Sequence, residues 1–223
     1  MSEVRTILLN RSAYADNDHE ADALREYLKD HQTFLVNVMS SPGSGKTTTL
    51  TKLINILKSE FKIGVMEADI DSDVDAISIA KNTGVNSIQL HTNGMCHLDA
   101  GMTKTGLDGI SFYDFDLIFL ENVGNLVCPA EFDTGASMDM VILSVPEGDD
   151  KPIKYPLVFE KSKLVLINKV DALPYFDFDM DKVVKNIRFR NKNSTIIPIS
   201  AKTGENMDKV ADYFRKIIAE WRK

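Results

Sequence analysis

With 223 residues, 43% hydrophobic and 26% charged, the chain is long enough for one well-cored α/β domain and short for two. Its net charge of -7 disfavours nucleic acid or an acidic membrane surface as a partner. No apolar run is long enough to span a bilayer, and residues 1–20 lack a signal-peptide pattern, so a cytoplasmic location is expected.

The chain opens on a polar stretch that predicts a helix over about 16–31, so residues 1–32 read as a helical extension. Seven β-rich apolar runs follow, at 33–39, 62–69, 87–91, 116–122, 139–145, 163–169 and 194–200. Several are continuous rather than alternating, as in a parallel sheet covered on both faces. Helical patterns fall between them. After Lys46, Leu50, Leu53, Ile54 and Leu57 keep an amphipathic spacing, as do Val210, Phe214, Ile217, Ile218 and Trp221 near the end. Strands alternating with helices predict an α/β fold, doubly wound, with a mostly parallel sheet of about seven strands and helices on both faces. Residues 33–223 read as that domain.

The segment "SSPGSGKTT" (40–48) joins the first of those strands to the amphipathic helix, the context a phosphate-binding loop requires. Gly43 and Gly45 let backbone N–H groups converge on phosphate oxygens, and the helix N-terminus adds a favourable dipole. Lys46 would reach the β- and γ-phosphates and Thr47 would hold Mg²⁺; Ser44 and Thr48 belong to the same nucleotide-binding set. The usual first glycine of the loop is replaced by Ser40.

Two later motifs select the base. "NKVD" (168–171) ends a strand, and the Asp171 carboxylate suits the two donors on one edge of guanine, a pair adenine lacks. Asn168 and Lys169 would support the base and bind back to the phosphate loop. "SAK" (200–202: Ser200, Ala201, Lys202) can offer a backbone N–H to guanine O6. In this order, the three motifs point to GTP or GDP with Mg²⁺.

The strand and loop "DLIFLENVGN" (116–125) read as a Walker B strand entering a switch, with Glu121 in place of the usual aspartate and Gly124 offering its N–H to the γ-phosphate. Asp69 is placed to bind Mg²⁺ or orient the attacking water. The catalytic candidates are therefore Lys46, Asp69, Glu121 and Gly124. Asp71, Asp73 and Asp75 read as a solvated acidic turn and helix cap. No residue resembles a water-orienting switch glutamine, so slow intrinsic hydrolysis is expected.

Cys96, His97 and Cys128 are soft or borderline metal ligands. Two cysteines could form a disulfide, but a cytosolic chain of this size needs no such staple. Both look placed at helix starts, where a thiol pKa falls and thiolate accumulates; the alternative is burial as small apolar side chains. Cys128 lies four residues after Gly124, so an ion there would sense the bound nucleotide. Three ligands are too few for a closed structural zinc site, which leaves an open transfer position or a second chain that completes it. Thiolate and imidazole suit Zn²⁺ and Ni²⁺. His19, His31 and His91 read as surface or satisfied histidines.

Together "SSPGSGKTTTL", "NGMCHLDA", "ENVGNLVCPAEFDTGA", "SVPEGDDKPIKYP", "INKVD" and "SAKTGE" resemble, in order, the HypB family, GTPases that help insert nickel into [NiFe] hydrogenase. The resemblance spans roughly residues 33–205. It implies a SIMIBI-class P-loop NTPase that dimerises with GTP, with Cys96, His97 and Cys128 holding nickel or zinc near the dimer interface. It also implies a HypA-type metallochaperone and the hydrogenase large-subunit precursor as partners, and it makes Ser40 ordinary. Unlike some members, the chain has no cysteine before Cys96 and no histidine-rich tract, so metal storage is not expected. The 146–156 loop is a candidate for contacting a partner chain's nucleotide. The alternatives are a UreG-like urease GTPase, whose Cys-Pro-His motif meets Ala130 here, a non-catalytic metal-binding module, or a signal-recognition-type GTPase.

Overall fold

In the computed structural model the described residues are 5–8, 17–69 and 74–223. The strands are β1 (Arg5–Leu8), β2 (Phe34–Ser40), β3 (Ile63–Asp69), β4 (Asn86–His91), β5 (Leu117–Glu121), β6 (Met138–Ser144), β7 (Leu164–Asn168) and β8 (Thr195–Pro198). They form one sheet in the order β1-β4-β3-β5-β2-β6-β7-β8, and every neighbouring pair is parallel. The helices are α1 (Asn17–Asp30), α2 (Lys46–Leu57), α3 (Val74–Thr83), α4 (Ala100–Ile110), α5 (Cys128–Glu131), α6 (Lys151–Lys154), α7 (Pro156–Lys161), α8 (Met180–Arg190) and α9 (Met207–Trp221).

β2, β5 and β7 are buried at every position, which is why their sequences are dominated by apolar residues. Alternate residues still serve opposite faces. Val36 and Val38 of β2 join Leu50, Leu53 and Ile54 of α2 and Val210 and Phe214 of α9. Leu35 joins Leu24 and Leu28 of α1 and Met102 and Leu107 of α4, while Met39 joins Val158 and Phe159 of α7 and Val183 of α8. Each fully buried leucine or phenylalanine contributes on the order of 1.5–3 kcal/mol.

All seven predicted strands are present, and the predicted N-terminal helix is α1. The sheet nevertheless has eight strands rather than about seven. Arg5–Leu8 pairs in parallel with β4, Thr6 opposite Gln89. The N-terminal region therefore donates an edge strand as well as a helix. Because every pair is parallel, the loops after the strands gather along one edge of the sheet, where open α/β folds bind ligands.

Candidate nucleotide and metal site

The loop between β2 and α2 turns on two left-handed glycines, Gly43 (φ 73) and Gly45 (φ 94). Gly45 is fixed by space as well as angle, since a Cβ there would lie 2.6 Å from Asn168 Nδ2. Asn168 ends β7 and reaches back, its Nδ2 donating to Ser44 O at 2.9 Å. Its Oδ1 accepts from Lys169 N at 2.8 Å and from Ala201 N at 3.0 Å. Lys169, itself left-handed at φ 64, donates from Nζ to Gly43 O at 2.6 Å. One buried amide thus joins the phosphate loop, "NKVD" and "SAK". Ser200 Oγ donates to Asp171 Oδ1 at 2.6 Å and accepts from Thr203 N at 3.1 Å. Ala201 N is engaged by Asn168 here, and Lys202 is exposed.

A cleft of about 640 Å³ runs along Gly43, Ser44, Gly45, Lys46, Thr47 and Thr48 and reaches Lys169, Asp69 and Gly124. Its floor is acidic. Glu121 is buried; Thr47 Oγ1 donates to its Oε1 at 3.3 Å and Lys46 Nζ lies 4.0 Å away. Burial pushes its carboxyl up to about 7 against the opposing pull of Lys46. Glu67 stands opposite Glu121 in the β3–β5 register and is pushed up to about 9, first by burial and then by Glu121. Glu67, Asp75 and Glu121 bring carboxylate oxygens within 4.8 Å of one another. Glu67 Oε2, Glu121 Oε2 and Ser44 Oγ are buried without a hydrogen-bond partner. Buried oxygens left in that state are costly, and a cation is their natural complement.

Asp75 is exposed in the first turn of α3, as its solvated reading has it, and its carboxylate also reaches this cluster; Asp71 and Asp73 lie outside the described residues. Glu67 escaped notice, although a charged residue within the apolar run "KIGVMEAD" was the available signal. Asp69, two residues along the same strand, lines the cleft as expected.

After β5 the chain is tied down tightly. Asn122 N donates to Val38 O at 3.0 Å and Asn122 Nδ2 to Asn37 Oδ1 at 3.0 Å, while Asn122 Oδ1 accepts from Val123 N at 2.9 Å. Asn37 Nδ2 passes the chain on to Asp139 Oδ1 at 2.8 Å, so a polar ladder crosses β5, β2 and β6. Burial holds the Asp139 carboxyl above the usual range. Gly124 lies against Pro42, where a Cβ would come 3.2 Å from Pro42 Cγ. Asn125 forms an antiparallel bridge to Ser40. The switch segment is therefore fastened to the phosphate loop just before Cys128.

Cys128 opens α5, with Pro129 in its first turn, as the sequence suggested. Cys96 does not open a helix. It follows a turn in which Thr92 Oγ1 donates to Met95 O at 2.6 Å, and Asp99 caps α4 by accepting from Met102 N at 2.8 Å. The neighbouring Cys128 thiol, and then burial, raise the Cys96 pKa rather than lowering it as a helix start would do. His97 is buried, with its ring stacked on Phe132 at 3.5 Å and 10°. The thiols of Cys96 and Cys128 meet, but among the described residues the ligand atoms of Cys96, His97 and Cys128 do not all lie within 4.8 Å of one another. Of the other histidines, His31 Nδ1 is 2.8 Å from Tyr27 O, whereas His91 Nε2 is buried without a partner.

Residues 34–198 match the profile of the CobW/HypB/UreG nucleotide-binding domain. Over 209 residues, 94% of this chain and 72% of the relative, the sequence is 42% identical to hydrogenase maturation factor HypB of Escherichia coli K12. The chain belongs to the HypB family of hydrogenase maturation factors. The solved structures agree. HypB from Archaeoglobus fulgidus superposes with a TM-score of 0.85 at 36% identity, covering 92% of this chain and 99% of that one. HypB from Helicobacter pylori, crystallised in complex with nickel, gives 0.87 at 35%, covering 92% and 96%. Like them, this HypB-family chain is an α/β P-loop nucleotide-binding protein. No helix among its described residues is long and apolar enough to cross a membrane.

Proposed function

We propose that this HypB-family chain binds and slowly hydrolyses GTP, and that the nucleotide controls a nickel or zinc ion passed towards the [NiFe] hydrogenase large subunit. The observation that carries the reading is one segment, 121–128, bridged to the phosphate loop at one end and bringing Cys128 beside Cys96 at the other. Gly43, Ser44, Gly45, Lys46, Thr47 and Thr48 bind the phosphates. Asp171 reads guanine, held by Ser200, with Asn168, Lys169, Ala201 and Lys202 around the base. The buried oxygens of Glu67 and Glu121, with Asp75, Asp69 and Thr47, fit Mg²⁺, which would neutralise charge on the transferred phosphoryl group. Gly124 meets the γ-phosphate.

Cys96, His97 and Cys128 hold the transported ion. With its ring stacked on Phe132, His97 would close on the ion together with the two thiols. Residues 33–223 act as the GTPase domain and 1–32 as its N-terminal extension, in a cytoplasmic protein. By family membership a GTP-dependent homodimer and a HypA-type metallochaperone complete the system, with the 146–156 loop facing the partner's nucleotide. GTP can drive release only if the two metal-site arrangements differ in GTP affinity. The test measures Ni²⁺ and Zn²⁺ affinity of wild type and Cys128→Ala, each with GDP and with a non-hydrolysable GTP analogue. Affinity should fall in the variant and change with nucleotide in the wild type. Equal affinity in all four conditions removes Cys128 from the site and the switch from the mechanism.

A further inference from the structure

Segments 96–100 and 128–133 must keep a set spacing if thiols and imidazole are to reach one ion. Three contacts join them in sequence order. Cys96 meets Cys128, His97 stacks on Phe132, and Asn17 spans the third gap. Asn17 Oδ1 accepts from Ala100 N at 2.9 Å, and its Nδ2 donates to Asp133 O at 3.0 Å. Ala100 N opens α4 and is one of the amides a helix leaves without an internal partner. A primary amide offers an acceptor and a donor side by side, so one buried side chain closes both groups. Two turns along α1, Arg25 grips the Asp133 carboxylate with both arms, at 2.8 and 3.0 Å. Burial alone would raise the Asp133 pKa; Arg25 and the Gly135 N–H bond outweigh it, and the pKa is lowered. Leu24 lies so close to Gly135 (φ 72) that a Cβ there would be 2.8 Å from Leu24 Cδ2.

We infer that Asn17 and Arg25 are positioning residues for the metal site, holding the Cys96–His97 loop and the Cys128–Asp133 segment at the spacing their ligands need. The inference rests on the reading of Cys96, His97 and Cys128 as ligands. Neither residue lines the nucleotide cleft. Metal sites tolerate ligand displacements of only about 0.2 Å, and groups that orient ligands typically change affinity by about 10- to 100-fold.

The experiment uses the full chain as Asn17→Ala, Arg25→Gln, Arg25→Lys, Cys96→Ala and Cys128→Ala. Zn²⁺ affinity is read by chelator competition, and thiolate ligation by the Co²⁺ charge-transfer band. Asn17→Ala and Arg25→Gln should weaken Zn²⁺ by at least about tenfold and alter the Co²⁺ band, with GTP turnover and helix content kept. Arg25→Lys should fall between, since lysine keeps the charge and loses the bidentate grip. Arg25 is partly exposed, so its variants carry the test if Asn17→Ala fails to fold. Wild-type Zn²⁺ affinity and Co²⁺ band in folded Arg25→Gln overturn the inference. If the cysteine variants lose metal while Asn17→Ala and Arg25→Gln keep it, the clamp alone is wrong. If the cysteine variants bind like wild type, the ligand reading falls and takes the clamp with it.

Discussion

Replacing Glu67 with glutamine should stabilise the nucleotide-free protein at alkaline pH. Glu67 faces Glu121 across neighbouring strands, with oxygens within 4.8 Å. Two unit charges at that distance repel by about 3.5 kcal/mol at an effective dielectric of about 20. Burial first, and then this neighbouring carboxylate, keep the proton on Glu67, with a pKa of about 9 in place of 4.5. Holding that proton at pH 8 costs about 5 kcal/mol, at roughly 1.4 kcal/mol per pH unit above the ordinary value. Because the folded state binds the proton more tightly than the unfolded chain, this stability is present below pH 4.5 and is lost as pH rises through about 9. Glutamine keeps the shape and removes the titration. Thermal unfolding in EDTA, without nucleotide, should show Tm higher by about 10 °C in Glu67→Gln at pH 8 and by only about 2 °C at pH 5. Saturating Mg²⁺–GDP should erase or reverse the gain, since the ion would otherwise exploit that carboxylate. A lower Tm at pH 8, or the same gain at both pH values, refutes the reasoning.

Asn168→Ala strips the shared amide from Ser44 O and Ala201 N, groups worth about 1–3 kcal/mol each when left buried and unpaired. Guanine-nucleotide affinity should drop by about a hundredfold or more in a fluorescent-nucleotide titration; a change under about threefold would contradict the hub role. Single-turnover hydrolysis by the isolated chain should run on the order of 10⁻⁴ per second, since no stabilising arginine is among the described residues lining the cleft. A rate near one per second would sink that expectation.

What the sequence disclosed was whatever local chemistry encodes. Doubly covered strands are mostly apolar, so seven of them stood out, and the glycine loop and "NKVD" carry their meaning in adjacent residues. What it concealed depends on pairing at a distance. β1 is four residues of mixed polarity on a sheet edge, with no pattern to mark it. Glu67 acquires its meaning only when the register sets it beside Glu121. Cys96 looked like a helix start because the true cap, Asp99, stands three residues further on. Nothing in "NDHEADALREYLKD" signals that its first residue will bridge two segments far along the chain.

The Asn168 amide also limits how the nucleotide site could be altered. Asp171 hangs on Ser200 and could be exchanged to suit a different purine edge, leaving the phosphate loop in place. Position 168 has no such freedom, because one side chain holds the loop on one side and the "SAK" backbone on the other. If Asp171 reads the base as proposed, base preference is separable from triphosphate grip at one position of "NKVD" and inseparable from it at another, so drift towards a new nucleotide has a single open door.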